Sequence, residues 1–166
     1  MQQENSREDI LNRLMQKAGD YVELSGSCAQ GTLLALQEEF HMGNAQTLKC
    51  ATAMPGIAPR GETCGAVIGA IMALGIALGP EKHDDFKAVQ LTTKAAHRLC
   101  KRFEKEIGSY NCRDVQRRIF GKSFNLTDSN DQKEFIEADA AKKCREPAGK
   151  AAYIAGELIL DGQAKT

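Results

Sequence analysis

Apolar residues recur at intervals of three and four along almost the whole chain, the spacing of one face of an α-helix. The alternation of apolar and polar residues that marks a half-buried strand is almost absent. The pattern therefore predicts an all-α fold: a helical bundle of about six to eight helices in a single domain covering residues 1–166.

Capping and breaking residues divide the pattern into separate helices. Ser6 followed by Asp9 predicts the start of the first helix, and Gly19 predicts its approximate end. The other predicted helices cover about 28–41, 44–54, 64–79, 84–107, 112–120, 132–140 and 144–160. Residues 55–63, PGIAPRGET, contain two prolines and two glycines, so we expect an ordered turn-rich loop that aims Cys64.

Charge and hydropathy narrow the classes of partner. The chain has 22 basic and 22 acidic residues, which gives no electrostatic footprint for nucleic acid or an anionic membrane. The N-terminal stretch MQQENSREDI lacks the apolar run of a secretory signal, and the longest apolar run, 66–78, is too short to cross a bilayer. We therefore expect a cytoplasmic protein with no membrane insertion and no nucleic-acid partner.

Four of the six cysteines fall at the first turn of a predicted helix: Cys28, Cys64, Cys112 and Cys144. Unpaired N–H groups and the helix dipole favour a thiolate there and can lower a cysteine pKa by about one unit or more. Arg113 and Arg145 each follow one of these cysteines and are candidates for the same effect. The other two, Cys50 and Cys100, fit a role as small buried apolar residues.

Four thiolates that converge on one point are compatible with three kinds of site. They can bind an iron–sulphur cluster, most simply [2Fe-2S], for electron transfer, or hold a structural zinc ion. Alternatively, two of them, Cys64 with Cys28, can act as a metal-free dithiol/disulfide oxidoreductase. The chain contains no CxxC spacing that selects among the three.

The motif around Cys64 and the order of the four cysteines resemble the bacterial and archaeal C-GCAxxG-C-C family. The run Cys64-Gly-Ala-Val-Ile-Gly-Ala is preceded by SCAQG around Cys28 and followed by Asn111-Cys112-Arg113 and by Cys144. The resemblance covers about residues 10–160. It implies a small helical redox protein, with wider kin that include cytochrome domains associated with an iron–sulphur centre. One departure is that glycine follows Cys64, as Gly65, whereas the family name places it before, at Thr63.

Gly65 has a predicted role beside the sulphur of Cys64. A residue without a side chain keeps that space open for a cofactor or a second sulphur, so Gly65 belongs to the predicted cofactor-binding set with the four cysteines. Gly69 and the neighbouring alanines also allow close helix packing. The expected partners are a protein redox partner and a second copy of the chain in a homodimer.

Overall fold

A computed structural model of the protein describes residues 6–163, so the first five residues of the polar N-terminal stretch lie outside the described part. Nine helices and no strands are found there, which confirms the all-α prediction. The helices are α1 (Arg7–Ser25), α2 (Cys28–Glu39), α3 (Ala45–Cys50), α4 (Gly65–Leu78), α5 (Phe86–Ile107), α6 (Cys112–Phe120), α7 (Ser129–Glu137), α8 (Ala140–Lys143) and α9 (Arg145–Gln163).

The start of α1 follows its local signals, but its end does not. Ser6 Oγ accepts a hydrogen bond from the backbone N–H of Asp9 at 3.1 Å, and the Asp9 carboxylate accepts one from the Ser6 N–H, which completes a capping box. The predicted end near Gly19 is wrong, because α1 continues to Gly26, which has a φ of 69°. Gly19 instead lies against α9, where an added Cβ would be 3.3 Å from Arg145 Cβ.

The later boundaries differ from the predictions near residue 130. Helix α7 begins at Ser129, earlier than predicted, because the Asp128 side chain accepts hydrogen bonds from the N–H groups of Asn130 and Asp131. The short helix α8 was not predicted, and it lies directly before Cys144.

Helices α1, α2, α4 and α9 pack side by side around the core, and α5 covers α4 and α9. The largest fully buried side chains come from α1, α2, α4, α5 and α9: Leu11, Leu14, Val22, Leu33, Leu36, Val67, Leu74, Leu99, Phe103, Ile107, Ile154 and Ile159. This packing brings the starts of α2, α4 and α9 to one region of the bundle. None of the helices in the described residues combines the length and apolar character of a membrane span.

Candidate four-cysteine site

The four cysteines predicted to act together line one cavity of about 440 Å³. Cys28 and Cys112 are the first residues of α2 and α6, and Cys64 and Cys144 directly precede α4 and α9. The prediction that each lies at a helix start is therefore confirmed. The bundle brings together four positions that span 28 to 144 in the chain.

The remaining two cysteines lie elsewhere. Cys50 is exposed at the end of α3, so the expectation that it is a buried apolar residue is wrong. Cys100 is half-buried on α5, where it packs against the core, and burial raises the pKa of its thiol. Neither residue lines the cavity that the other four share.

Cys28 and Cys64 are brought together by the close approach of α2 and α4. A Cβ at Gly69 would overlap the carbonyl oxygen of Ala29, so only glycine allows this approach. One turn earlier, a Cβ at Gly65 would overlap Cys28 Sγ and lie 2.9 Å from Pro55 Cα. Gly65 thus leaves the space into which the Cys28 sulphur fits, and the neighbouring Cys28 thiol raises the pKa of Cys64.

Cys64 and Cys112 are held near each other by paired backbone. Thr63 and Asn111 form an isolated antiparallel bridge. On either side of the bridge, the Cys64 N–H donates to the Tyr110 carbonyl at 2.8 Å, and the Cys112 N–H donates to the Glu62 carbonyl at 2.6 Å. The turns before α4 and α6 are therefore fastened together just where the two cysteines begin their helices.

The loop 55–63, which the sequence predicted to be ordered and turn-rich, contributes a wall of the cavity. Pro55 and Pro59 line the cavity, and a Cβ at Gly56 would make ordinary contact with Cys112 Sγ at 3.6 Å. The loop closes on itself through a hydrogen bond of 3.0 Å from the Glu62 N–H to the Gly56 carbonyl. This closure orders the segment that leads into Cys64.

The two arginines next to cysteines have different roles. Arg145 forms ion pairs with Asp20 and Glu23 of α1, so it anchors the start of α9 and is not a partner for Cys144. The charge of Arg113 does act to lower the pKa of the Cys112 thiol, but burial has the larger effect.

Gln116 is a site residue that the sequence analysis missed. Its side chain is 2% exposed, and its amide nitrogen donates to Cys112 Sγ at 3.4 Å. Its amide oxygen accepts from the backbone N–H of Phe124 at 2.8 Å, which fixes the orientation of the amide. Its position one turn after Cys112 on α6 is the sequence signal that could have identified it.

The expected lowering of the thiol pKa values is wrong for three of the four cysteines. The neighbouring Cys28 thiol and burial raise the Cys64 pKa well above its usual value, and the backbone N–H groups of Ala66 and Val67 have only a smaller, lowering effect. Burial raises the pKa of Cys112 and of Cys144 to about 12. Desolvation outweighs the helix N-termini, so without a compensating charge these thiols stay protonated at neutral pH.

The four cysteines share a cavity without converging on one point. Within residues 6–163, no three His, Cys, Asp or Glu side chains come together to ligate a single metal ion. A structural zinc site requires four ligands around one ion, so the arrangement does not favour the zinc alternative.

The rest of the cavity is apolar. Helix α7 and the segments beside it supply Leu126, Phe135, Ile136 and Ala140, and no charged side chain of the described residues lines the wall. Ile136 is 74% exposed and marks the side that opens to solvent. Apart from the thiols, the polar groups of the lining are neutral hydroxyls and amides.

The fold and the site together define a helical bundle with four cysteines at or directly before helix starts around one largely apolar cavity. The chain belongs to the family described as "Putative redox-active protein (C_GCAxxG_C_C)", whose sequence profile matches residues 26–158 and so includes all four cysteines. Comparisons with curated proteins and with solved structures find no significant match.

Proposed function

We propose that Cys28, Cys64, Cys112 and Cys144 bind an iron–sulphur cluster and that the protein is an electron carrier. The observation that supports this proposal is the shared cavity, because iron–sulphur clusters are held by cysteine thiolates in sites of restricted solvent access. A bound cluster supplies one-electron chemistry without a change in the protein's covalent structure.

The pairing of the thiols is compatible with such a cluster. A two-iron cluster takes two thiolates on each iron, so it does not need three side chains around one point. Cys28 and Cys64 supply one close pair, and Gly65 leaves the room beside them.

The polar groups around the sulphurs suit a bound anionic group. The backbone N–H groups of Ala66 and Val67 act to lower the pKa of Cys64, and the Gln116 amide donates to Cys112 Sγ at 3.4 Å. Hydrogen bonds of this kind stabilise thiolate ligands and set the reduction potential of a cluster. The apolar wall that α7 contributes limits the access of water to the sulphurs.

The test is the iron and acid-labile sulphide content, with the visible absorption spectrum, of protein purified without oxygen. We expect iron, sulphide and charge-transfer bands in the wild-type protein, and we expect Cys64→Ser to lose them. Cys50→Ser is the matched control, because Cys50 lies outside the cavity, and it should keep all three. A colourless, metal-free wild-type protein would overturn the proposal.

The closeness of the Cys28 and Cys64 thiols supports a second candidate, a metal-free dithiol. Oxidation of the pair to a disulfide releases two electrons and two protons to an acceptor. Burial of Cys64, which is 4% exposed, and its raised pKa oppose this function, because the thiolate is the nucleophile. Metal-free protein in which oxidation links Cys28 to Cys64, as found by peptide mapping, would favour the dithiol.

A further inference from the structure

The solvent face of α5 carries a row of positive charge, which we name the basic stripe. It consists of Lys87, Lys94, Arg98, Lys101 and Lys105, all of them exposed. The steps of seven, four, three and four residues place the five side chains on one face of the helix. The opposite face is the one buried in the core, through Ala95, Leu99, Phe103 and Ile107.

The acidic residues of α5, Glu104 and Glu106, both lie at its C-terminal end, and neither pairs with the basic stripe. From 86 to 103 the sequence contains no Asp or Glu, and none of the five side chains forms an ion pair within the described part of the chain. On the adjacent side of α5, Arg102 pairs with Glu106 and with Glu157 of α9, so acidic partners are available where the fold uses them.

The spacing of the charges in the basic stripe lowers the stability of α5. Lys94 and Arg98, and likewise Lys101 and Lys105, are like charges four residues apart, which destabilise a helix. The chain as a whole has no net charge, so the stripe is a local concentration of charge. A row that weakens its own helix and stabilises no other contact is explained by binding outside the molecule.

The basic stripe ends next to the four-cysteine site. Lys105 lies in the last turn of α5, which ends at Ile107 and is followed by Gly108. The short turn after Gly108 leads into Cys112, and its Tyr110, which is 45% exposed, accepts the hydrogen bond from the Cys64 N–H. A molecule bound along the stripe is thereby placed beside the turn that holds Cys64 and Cys112.

We propose that the basic stripe is the docking surface for the acidic face of a protein partner. That this partner exchanges electrons with the four-cysteine site rests on the proposed function, whereas the docking itself does not. Transient electron-transfer complexes have small interfaces, and opposite charges on the two proteins guide their association.

Two other kinds of anionic partner fit the stripe less well. No aromatic side chain lies among its five positions, so it offers no platform on which the bases of a single strand can stack. Most of the apolar face of α5 is buried in the core through Leu99 and Phe103, which leaves only Phe86, Val89 and Leu91 at its start exposed to a membrane surface.

The test measures the binding of a labelled helical peptide, as long as α5, that carries glutamates on one face at the spacing of the stripe. Fluorescence anisotropy with the full chain at low ionic strength should show binding that weakens as salt is added. The combined variant Lys94→Glu, Arg98→Glu and Lys101→Glu should weaken binding by about tenfold or more, since three attractive contacts become repulsive. The assay needs no bound cluster, so a metal-free protein would refute the proposed function and leave this result intact.

Matched controls separate the stripe from net charge. The variant Lys49→Glu, Lys133→Glu and Lys142→Glu changes the charge by the same amount at other exposed positions, and it should bind the peptide as the wild type does. Equal weakening in both variants would overturn the proposal, as would equally tight binding of a peptide with scrambled glutamate positions. Stripe-dependent binding that is tighter for single-stranded DNA or for phosphatidylglycerol vesicles would assign the surface to those partners instead.

Discussion

At the scale of single residues, the site depends on Gly65 having no Cβ atom. Gly65 lets the Cys28 sulphur approach the first turn of α4, whereas a Cβ added at Gly75, near the other end of the same helix, would meet nothing within 4 Å. Glycine-to-alanine substitution can therefore be compared at a crowded position, Gly65, and at an open position, Gly75.

Gly65→Ala should lower the free energy of unfolding by about 1–3 kcal/mol, because the added methyl overpacks the contact with Cys28 and Pro55. It should also reduce the iron bound per chain. Gly75→Ala should instead raise the free energy of unfolding by about 0.5–1 kcal/mol through helix propensity. Urea unfolding of both variants checks this, and equal effects would show that Gly65 has no special packing role.

At the scale of the elements, α1 and α2 are joined by a partly buried ion pair. Arg13 Nε donates to Glu39 Oε2 at 2.9 Å, and a second guanidinium nitrogen donates to the other carboxylate oxygen. The hydrogen bond with Arg13 holds the pKa of the Glu39 carboxyl below its usual range. The ionised carboxylate therefore stabilises the folded state at neutral pH.

Glu39→Gln should cost about 1 kcal/mol of stability at neutral pH, because it removes this charge pair. The pKa of Glu39 is lower in the folded than in the unfolded chain, so its contribution is complete above the unfolded pKa of about 4.3 and is lost as the pH falls through the folded value. The difference between wild type and variant should shrink in the same interval. Thermal unfolding at several pH values measures it.

The exposed pair of Lys133 and Glu137 provides the comparison for this prediction. Glu137→Gln should change the stability by no more than about 0.5 kcal/mol at any pH, since exposed ion pairs contribute little. A difference between wild type and Glu39→Gln that stays constant down to acid pH would contradict the assigned role of Glu39.

The elements also show which features the sequence could predict. Starts and ends that rest on local hydrogen bonds, such as the Ser6 capping box and the left-handed cap at Gly108, could be read from the chain. Gly19 was misread as a helix end, because its reason for being glycine is the contact with Arg145, more than a hundred residues away. Signals that act within one turn are visible in a sequence, whereas contacts between distant helices are not.

The candidate site shows the same difference between local signals, which a sequence contains, and contacts between distant helices, which it does not. The positions of the four cysteines at helix starts follow from local patterns, whereas the sulphur that makes glycine necessary at position 65 belongs to Cys28 on another helix. The raised pKa values of Cys112 and Cys144 follow from burial by other elements, which no local pattern records. The role of Gln116 likewise depends on the backbone of Phe124 reaching its amide oxygen.

At the scale of the whole molecule, the four-cysteine site forms only when the whole helical bundle is folded. Its four cysteines begin α2, α4, α6 and α9, and α9 packs against α1 at the other end of the chain. A group bound to all four therefore links parts of the protein that the unfolded chain leaves far apart. Binding of this kind stabilises the folded state selectively.

The proposed function predicts that a chelator which removes the cluster lowers the unfolding temperature of the anaerobically purified protein by about 4 °C or more, since each kcal/mol of lost stabilisation shifts the midpoint by about 2–4 °C. Differential scanning calorimetry before and after chelation measures the shift. Cys64→Ser should show the same unfolding temperature with and without the chelator. An unchanged wild-type midpoint would contradict binding by all four cysteines.

At the bridge between Thr63 and Asn111, the main chain alone positions two of the four cysteines, so the side chains there are not needed for this placement. The hydrogen bonds that join the turns before Cys64 and Cys112 use only backbone N–H and carbonyl groups, which every residue except proline can supply in full. Side chains around the cavity can therefore change, by evolution or by design, without disturbing the placement of these two cysteines. A site held together by main-chain hydrogen bonds allows most of its side chains to vary. This is compatible with a family motif that consists of four cysteines and a few small residues.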